Sequence, residues 1–202
     1  MDVARRSWLK LFLGIALVLS APPLLQGDKT TATVASLTDP AKLATLAGRR
    51  AANDRLLKCV AWLAEARANG TLPQQIISEA QKRNGETGKH AEMVRAALLR
   101  NLDIAEKLGC LSPENVELMK HGTSPLITRG PYAGQPAEID HIVPIAVVPE
   151  LGNEIANLEM MPRTLNRRKG AKVGQRQMDY LRRFLDAGAI SREVYLRVTR
   201  SR

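Results

Sequence analysis

Aromatic side chains, cysteines and extended apolar runs are all scarce in this chain of 202 residues. The aromatics amount to two Trp, three Tyr and two Phe, too few to build stacking platforms for single-stranded bases, which argues against recognition by base stacking. Cys59 and Cys110 are the only cysteines. In a reducing compartment they are small buried hydrophobes; in an oxidising one they could pair, closing a loop of about 50 residues for a gain of ~3 to 4 kcal/mol. The apolar run Leu11 to Leu19 is short of the ~20 residues that a membrane span needs. No internal repeat is present.

Acidic residues are also unevenly spread. Residues 163–202 hold 12 Lys and Arg against three acidic groups, while residues 1–162 hold 18 against 17. The formal charge of +10 is therefore concentrated in the last fifth of the chain, as expected of a surface for a polyanion, with nucleic acid the foremost one.

Arg5, Arg6 and Lys10 followed by the run Leu11 to Leu19, small residues and Pro22-Pro23 read as an export signal over residues 1–21. Val18 and Ser20 suit a cleavage site that leaves Ala21 first. An uncleaved inner-membrane anchor starting at Trp8 stays open, as do the general secretory and twin-arginine routes, the latter because Ala4 to Lys10 resembles a twin-arginine motif with Trp8 in place of phenylalanine. A periplasmic or extracellular protein free of the membrane after cleavage is expected. Residues 22–37, rich in Pro, Gly, Thr and Ser without periodicity, read as a linker.

From Asp39 the pattern is helical. Asp39-Pro40 is a cap and first-turn proline, and apolar residues recur through Leu63 to a stop at Asn69-Gly70. Further helices are predicted over 73–83, 87–108 and 113–121, then 175–185 and from Ser191 onward. The region 38–122 carries no recognisable chemistry: His90 and His121 read as surface or capping residues and Met93, Met119, Met160 and Met161 as core filler. Its expected role is to pack against a small core in residues 123–202, with an inhibitor or partner surface as the alternative.

Chemistry is concentrated in Glu138-Ile139-Asp140-His141-Ile142-Val143-Pro144, then Asn157-Leu158, then Asn166-Arg167-Arg168-Lys169. His141 is a candidate base, Asp140 and Asn166 offer the hard oxygens that suit Mg²⁺ or Mn²⁺, and Lys169 supplies charge for a phosphodiester. Arg163, Asn166 and Lys169 recur at i, i+3 and i+6 behind Pro162 and so share one helix face. A strand over 138–143 would send Asp140 and His141 to opposite sides unless it ends early.

These motifs resemble the HNH endonuclease family, in its variant with asparagine for the final histidine, over residues 126 to 172. The resemblance implies a ββα-metal core packed with N-terminal helices and flanked by basic C-terminal ones, within a predominantly helical α+β chain. It implies His141 as general base, Asn157 as the residue that fixes the loop orienting it, and Asp140 and Asn166 as metal ligands. Family members often carry Cys-x-x-Cys pairs for structural zinc, but Pro162 and Leu165 stand at the equivalent positions, so no zinc ribbon is expected. Phosphate contacts are assigned to Arg163, Arg167, Arg168, Lys169, Lys172, Arg176, Arg182 and Arg183. The expected activity is hydrolysis of nucleic acid, duplex DNA favoured, to 5′ phosphate and 3′ hydroxyl ends. A non-catalytic exported nucleic-acid binder on the same fold is the alternative.

Overall fold

A computed structural model describes residues 23–48 and 51–200, so the expected export signal lies outside the described residues. No helix among them is long and apolar enough to cross a membrane. The chain is α+β and predominantly helical. Six helices come first: α1 (Pro23–Thr38), α2 (Pro40–Ala44), α3 (Ala51–Ala68), α4 (Pro73–Arg83), α5 (Gly88–Lys107) and α6 (Pro113–Lys120). A two-stranded sheet follows, β1 (Ala137–His141) and β2 (Leu158–Pro162), then α7 (Arg163–Lys169), α8 (Gln175–Asp186) and α9 (Arg192–Arg200).

The expected linker over 22–37 is instead helix α1, packed on α3 and α4. Thr30, Thr31, Val34, Ala35 and Thr38 are buried along one face, a helical stripe disguised by its threonines. Their polarity is absorbed locally, since Thr31 and Thr38 donate their hydroxyls to the carbonyls of Gly27 and Val34 four residues back, at 2.8 and 3.0 Å. The single helix expected from Asp39 to Ala68 is broken in two. Asp39 caps α2 by accepting from Ala41 N–H at 2.9 Å, but Gly48 adopts φ +95°, which no right-handed helix contains.

α3 is the central post of the core, burying Leu56, Leu57, Val60 and Leu63 against α1, α4, α5, α6 and β1. One continuous apolar cluster runs from Val34 through Leu98, Ile139 and Met160 to Phe184 and Val198, so the first helices and the basic C-terminal ones share a core. The helices also seal the sheet. A two-stranded sheet is marginal by itself, and its outer edges expose backbone groups that need partners. Asn53 on α3 donates to the Ile139 carbonyl of β1 at 3.1 Å. Buried Asn101 on α5 donates to the Leu158 carbonyl at 3.0 Å and accepts from the Met160 N–H at 2.6 Å. The helical region thus completes the hydrogen bonding of the strands.

Cys59 and Cys110 are free thiols, both fully buried, so the bridge considered for an oxidising compartment is not formed. Each sulfur is enclosed by the core instead of lying at the ~2.05 Å that a disulfide requires. Burial pushes the thiols up to about 12 and about 11 respectively. At pH 8 the reactive thiolate is then scarcer by ~10³-fold and ~10²-fold than in an ordinary cysteine. Native protein should resist a thiol reagent that modifies both residues on unfolding, and reductant should leave the melting temperature unchanged.

Candidate active site

Strand β1 alternates strictly, with Ala137, Ile139 and His141 buried and Glu138 and Asp140 half-buried on the other face. Antiparallel pairing sets Glu138 opposite Met161 and Asp140 opposite Glu159. Three carboxylates therefore crowd one face of the sheet, an arrangement that repels unless cations are brought to it.

Helix α7 and the start of α8 bring them. Arg163 Nε meets Glu138 Oε1 at 2.7 Å, Asn166 Nδ2 meets Glu138 Oε2 at 2.9 Å, and Lys169 Nζ meets Asp140 Oδ2 at 2.5 Å. Lys169 also donates to the His141 backbone carbonyl. The i, i+3, i+6 face of α7 thus lies over β1 as its spacing predicts. Glu159 is paired with Arg176 and with Arg100 of α5. Partial burial opposes charge on Glu138, but the hydrogen bonds from Arg163 and Asn166 and the charges of Arg163 and Arg167 outweigh it, holding the carboxyl below its usual range.

The alternation runs through His141, the last residue of the strand, so its side chain leaves on the face opposite that of Asp140 while its backbone carbonyl meets Lys169. Asp140 and His141 line one cavity of about 500 Å³ together with Glu138, Pro144, Asn166 and Arg167. His141 is 3% exposed, and its ring Nε2 lies 2.9 Å from the Gly152 carbonyl oxygen. A carbonyl only accepts, so this contact assigns the hydrogen to Nε2 and makes Nδ1 the proton-accepting nitrogen of the neutral ring.

The carbonyl that orients the ring belongs to the loop over residues 142–157, and Asn157 closes that loop. Fully buried, Asn157 accepts from Val143 N–H at 2.8 Å and donates to the carbonyls of Val143 and Leu151 at 3.0 and 3.3 Å. Its own backbone carbonyl receives Ile142 N–H at 2.7 Å.

The basic residues divide into two groups. Arg163, Lys169, Arg176 and Arg182 are ion-paired within the protein, the last with Asp186 at 3.2 Å. Arg167, Arg168, Lys172 and Arg183 are exposed; Arg183 lies over the Tyr180 ring at 5.2 Å, and Arg167 reaches the cavity.

Three contributors escape the motif reading. Glu138 had a signal, because a residue two before Asp140 on a strand shares its face. The Gly152 carbonyl and Arg100 have none, since a backbone oxygen and a distant helix enter only through tertiary packing. Among the described residues, no group of three or more His, Cys, Asp and Glu side chains is assembled for a metal ion. No family model, curated protein or solved structure matches this chain.

Proposed function

We propose that this protein is a metal-dependent endonuclease of HNH type that hydrolyses phosphodiester bonds, duplex DNA favoured. The observation that carries the reading is the convergence of Asp140, His141 and Asn166 on one cavity, with the His141 ring oriented by Gly152 and exposed arginines beside it.

The donor set fits a hard divalent ion. Asp140, Glu138, the Asn166 amide and the His141 carbonyl are oxygen donors, and the ammonium of Lys169 already rests on two of them, marking the place as one that attracts positive charge. Mg²⁺ and Mn²⁺ accept a few protein oxygens and complete their shell with water and phosphate. Asp140 and Asn166 would hold the ion, with Glu138 anchoring Asn166. Such an ion supplies positive charge to the scissile phosphate and the departing 3′ oxygen.

The chain's own residues supply the rest. Nδ1 of His141 takes a proton from water as the water oxygen bonds to phosphorus in line with the 3′ oxygen. The bond from phosphorus to the 3′ oxygen breaks, and that oxygen takes a proton from solvent water, leaving 5′ phosphate and 3′ hydroxyl ends. Arg167, which lines the cavity, would hold the phosphate oxygens, Arg168 and Lys172 would extend the contact along the backbone, and Lys169 would join them only where a metal ion displaces it from Asp140.

Calorimetric titration with Mn²⁺ tests the ligand assignment. Asn166→Ala should bind about 10-fold more weakly or worse; an unchanged isotherm removes Asn166 from the site. The phosphate contacts are tested by salt. Each contributes about −0.9 to the slope of log affinity against log salt on duplex DNA, so the Arg167→Ala, Arg168→Ala double variant should flatten that slope by about 2. An unaltered slope places binding elsewhere.

A further inference from the structure

The stretch 149–157, which carries the Gly152 carbonyl and Asn157, is tied to the rest of the molecule by side chains that the reaction does not use. Asn153 Nδ2 donates to the Leu46 carbonyl at 3.1 Å, and Arg197 of α9 holds both oxygens of Glu150 at 2.9 Å. Glu154 has two attachments. Its Oε1 accepts from Ala156 N–H at 2.9 Å, capping the short 3-10 turn Ile155–Asn157, and its Oε2 meets His90 Nε2 on α5 at 2.9 Å. One carboxylate therefore joins α5 to the turn that delivers Asn157, two residues after the carbonyl that orients His141. Expected from the sequence to be a surface or capping residue, His90 is partly buried in this contact, its side chain 31% exposed.

His90 lies in a second cavity, about 460 Å³, between α2, α5 and this stretch. The charged groups facing it are Glu154 and Glu150 from the stretch and Glu86 from the turn before α5, with Asp39 acting on Glu86 and Lys42 of α2 paired to Asp39 at 3.9 Å. The hydrogen bond to Glu154, opposed by burial and reinforced by the charges of Glu154 and Glu86, raises the imidazole above its ordinary range. Glu86 adds an orphaned buried oxygen, Oε2; burial pushes its carboxyl up and a cation at His90 draws it back down, so the two groups favour each other's charged forms.

We propose that His90 is a positioning residue for His141: protonated, it clamps Glu154 and the 149–157 stretch onto α5 and keeps the Gly152 carbonyl on the His141 ring, and on losing its proton it exchanges an ion pair for a neutral hydrogen bond and loosens that hold. The meaning of this for turnover rests on the nuclease reading; the coupling between the two histidines does not. Because the folded-state pKa of His90 is raised, the clamp's contribution to stability is complete below about pH 6.5, where an unfolded histidine is also protonated, and is lost as pH rises through the folded value.

The chain has three histidines, so the ring C–H resonances of His90, His121 and His141 can be followed in the full-length protein by NMR from about pH 5 to 9. The His141 signal should shift at the midpoint of His90. Glu86→Gln, which leaves the His90 to Glu154 bond intact, should move both midpoints down together. Glu154→Gln should lower the His90 midpoint, abolish the coupled shift of His141, and reduce kcat by about 10- to 100-fold with KM for DNA unchanged. A His141 signal that stays flat through the titration of His90, or a shift that keeps its pH in Glu86→Gln, overturns the proposal; should Glu154→Gln fail to fold, Glu86→Gln decides it. Coupled shifts in a protein that cuts no DNA uphold the clamp and refute the nuclease reading.

Discussion

Replacing His141 by alanine should lower turnover on duplex DNA by about 10²- to 10⁴-fold, the usual worth of a positioned general base, with DNA affinity nearly unchanged. The two effects separate because His141 is buried, 3% exposed and bonded through Nε2 to Gly152, while Arg167, Arg168 and Lys172, the proposed phosphate contacts, are exposed. Removing the base takes away an interaction made only as water is deprotonated, which lowers kcat and leaves substrate binding alone. Truncating a buried side chain also leaves a void, so melting should be followed in parallel. Wild-type turnover in a folded variant would sink the mechanism.

Asn157→Ala should be the most damaging substitution for the fold near the site. It strands the Val143 N–H and the carbonyls of Val143 and Leu151, which the amide now satisfies in the interior. Each such orphan costs about 1 to 3 kcal/mol, so the loop should lose ~3 to 5 kcal/mol after relaxation, a large part of a typical domain's stability of about 5 to 15 kcal/mol. For a chain of this size that lowers the melting temperature by roughly 10 °C. Activity should fall further than stability accounts for, because the freed loop no longer presents the Gly152 carbonyl to His141. Asn157→Asp should not rescue it, since a carboxylate accepts from Val143 N–H but repels the two carbonyls. A melting temperature within about 2 °C of wild type would show that Asn157 does not close the loop.

Much of the site was legible because its parts are local. The i, i+3, i+6 spacing of Arg163, Asn166 and Lys169 gave the α7 face that covers β1, and Pro162 marked where that helix begins. The helices 73–83, 88–107 and 113–120 followed from caps and terminal glycines. What was not legible depended on context. Helix α1 buries threonines and alanine in place of leucines, so its stripe reads as linker until the hydroxyls are seen bonding backward. Strand β2 has no period of its own, being buried at four of five positions, and is defined by Asn101 and by pairing with β1. The cations that neutralise Glu159 come from α5 and α8, far apart in sequence. His90 carries no motif, and its partner Glu154 is 64 residues away.

Whether Asp140, His141 and Asn166 form a metal-dependent hydrolytic site is decided by digesting supercoiled plasmid with the purified protein, in Mg²⁺ or in chelator. Nicked or linear DNA should form with Mg²⁺ and none with chelator, and a ligase should rejoin the ends without further treatment because they carry 5′ phosphate and 3′ hydroxyl. Intact plasmid at every Mg²⁺ concentration, from a folded protein that binds the DNA, would contradict it.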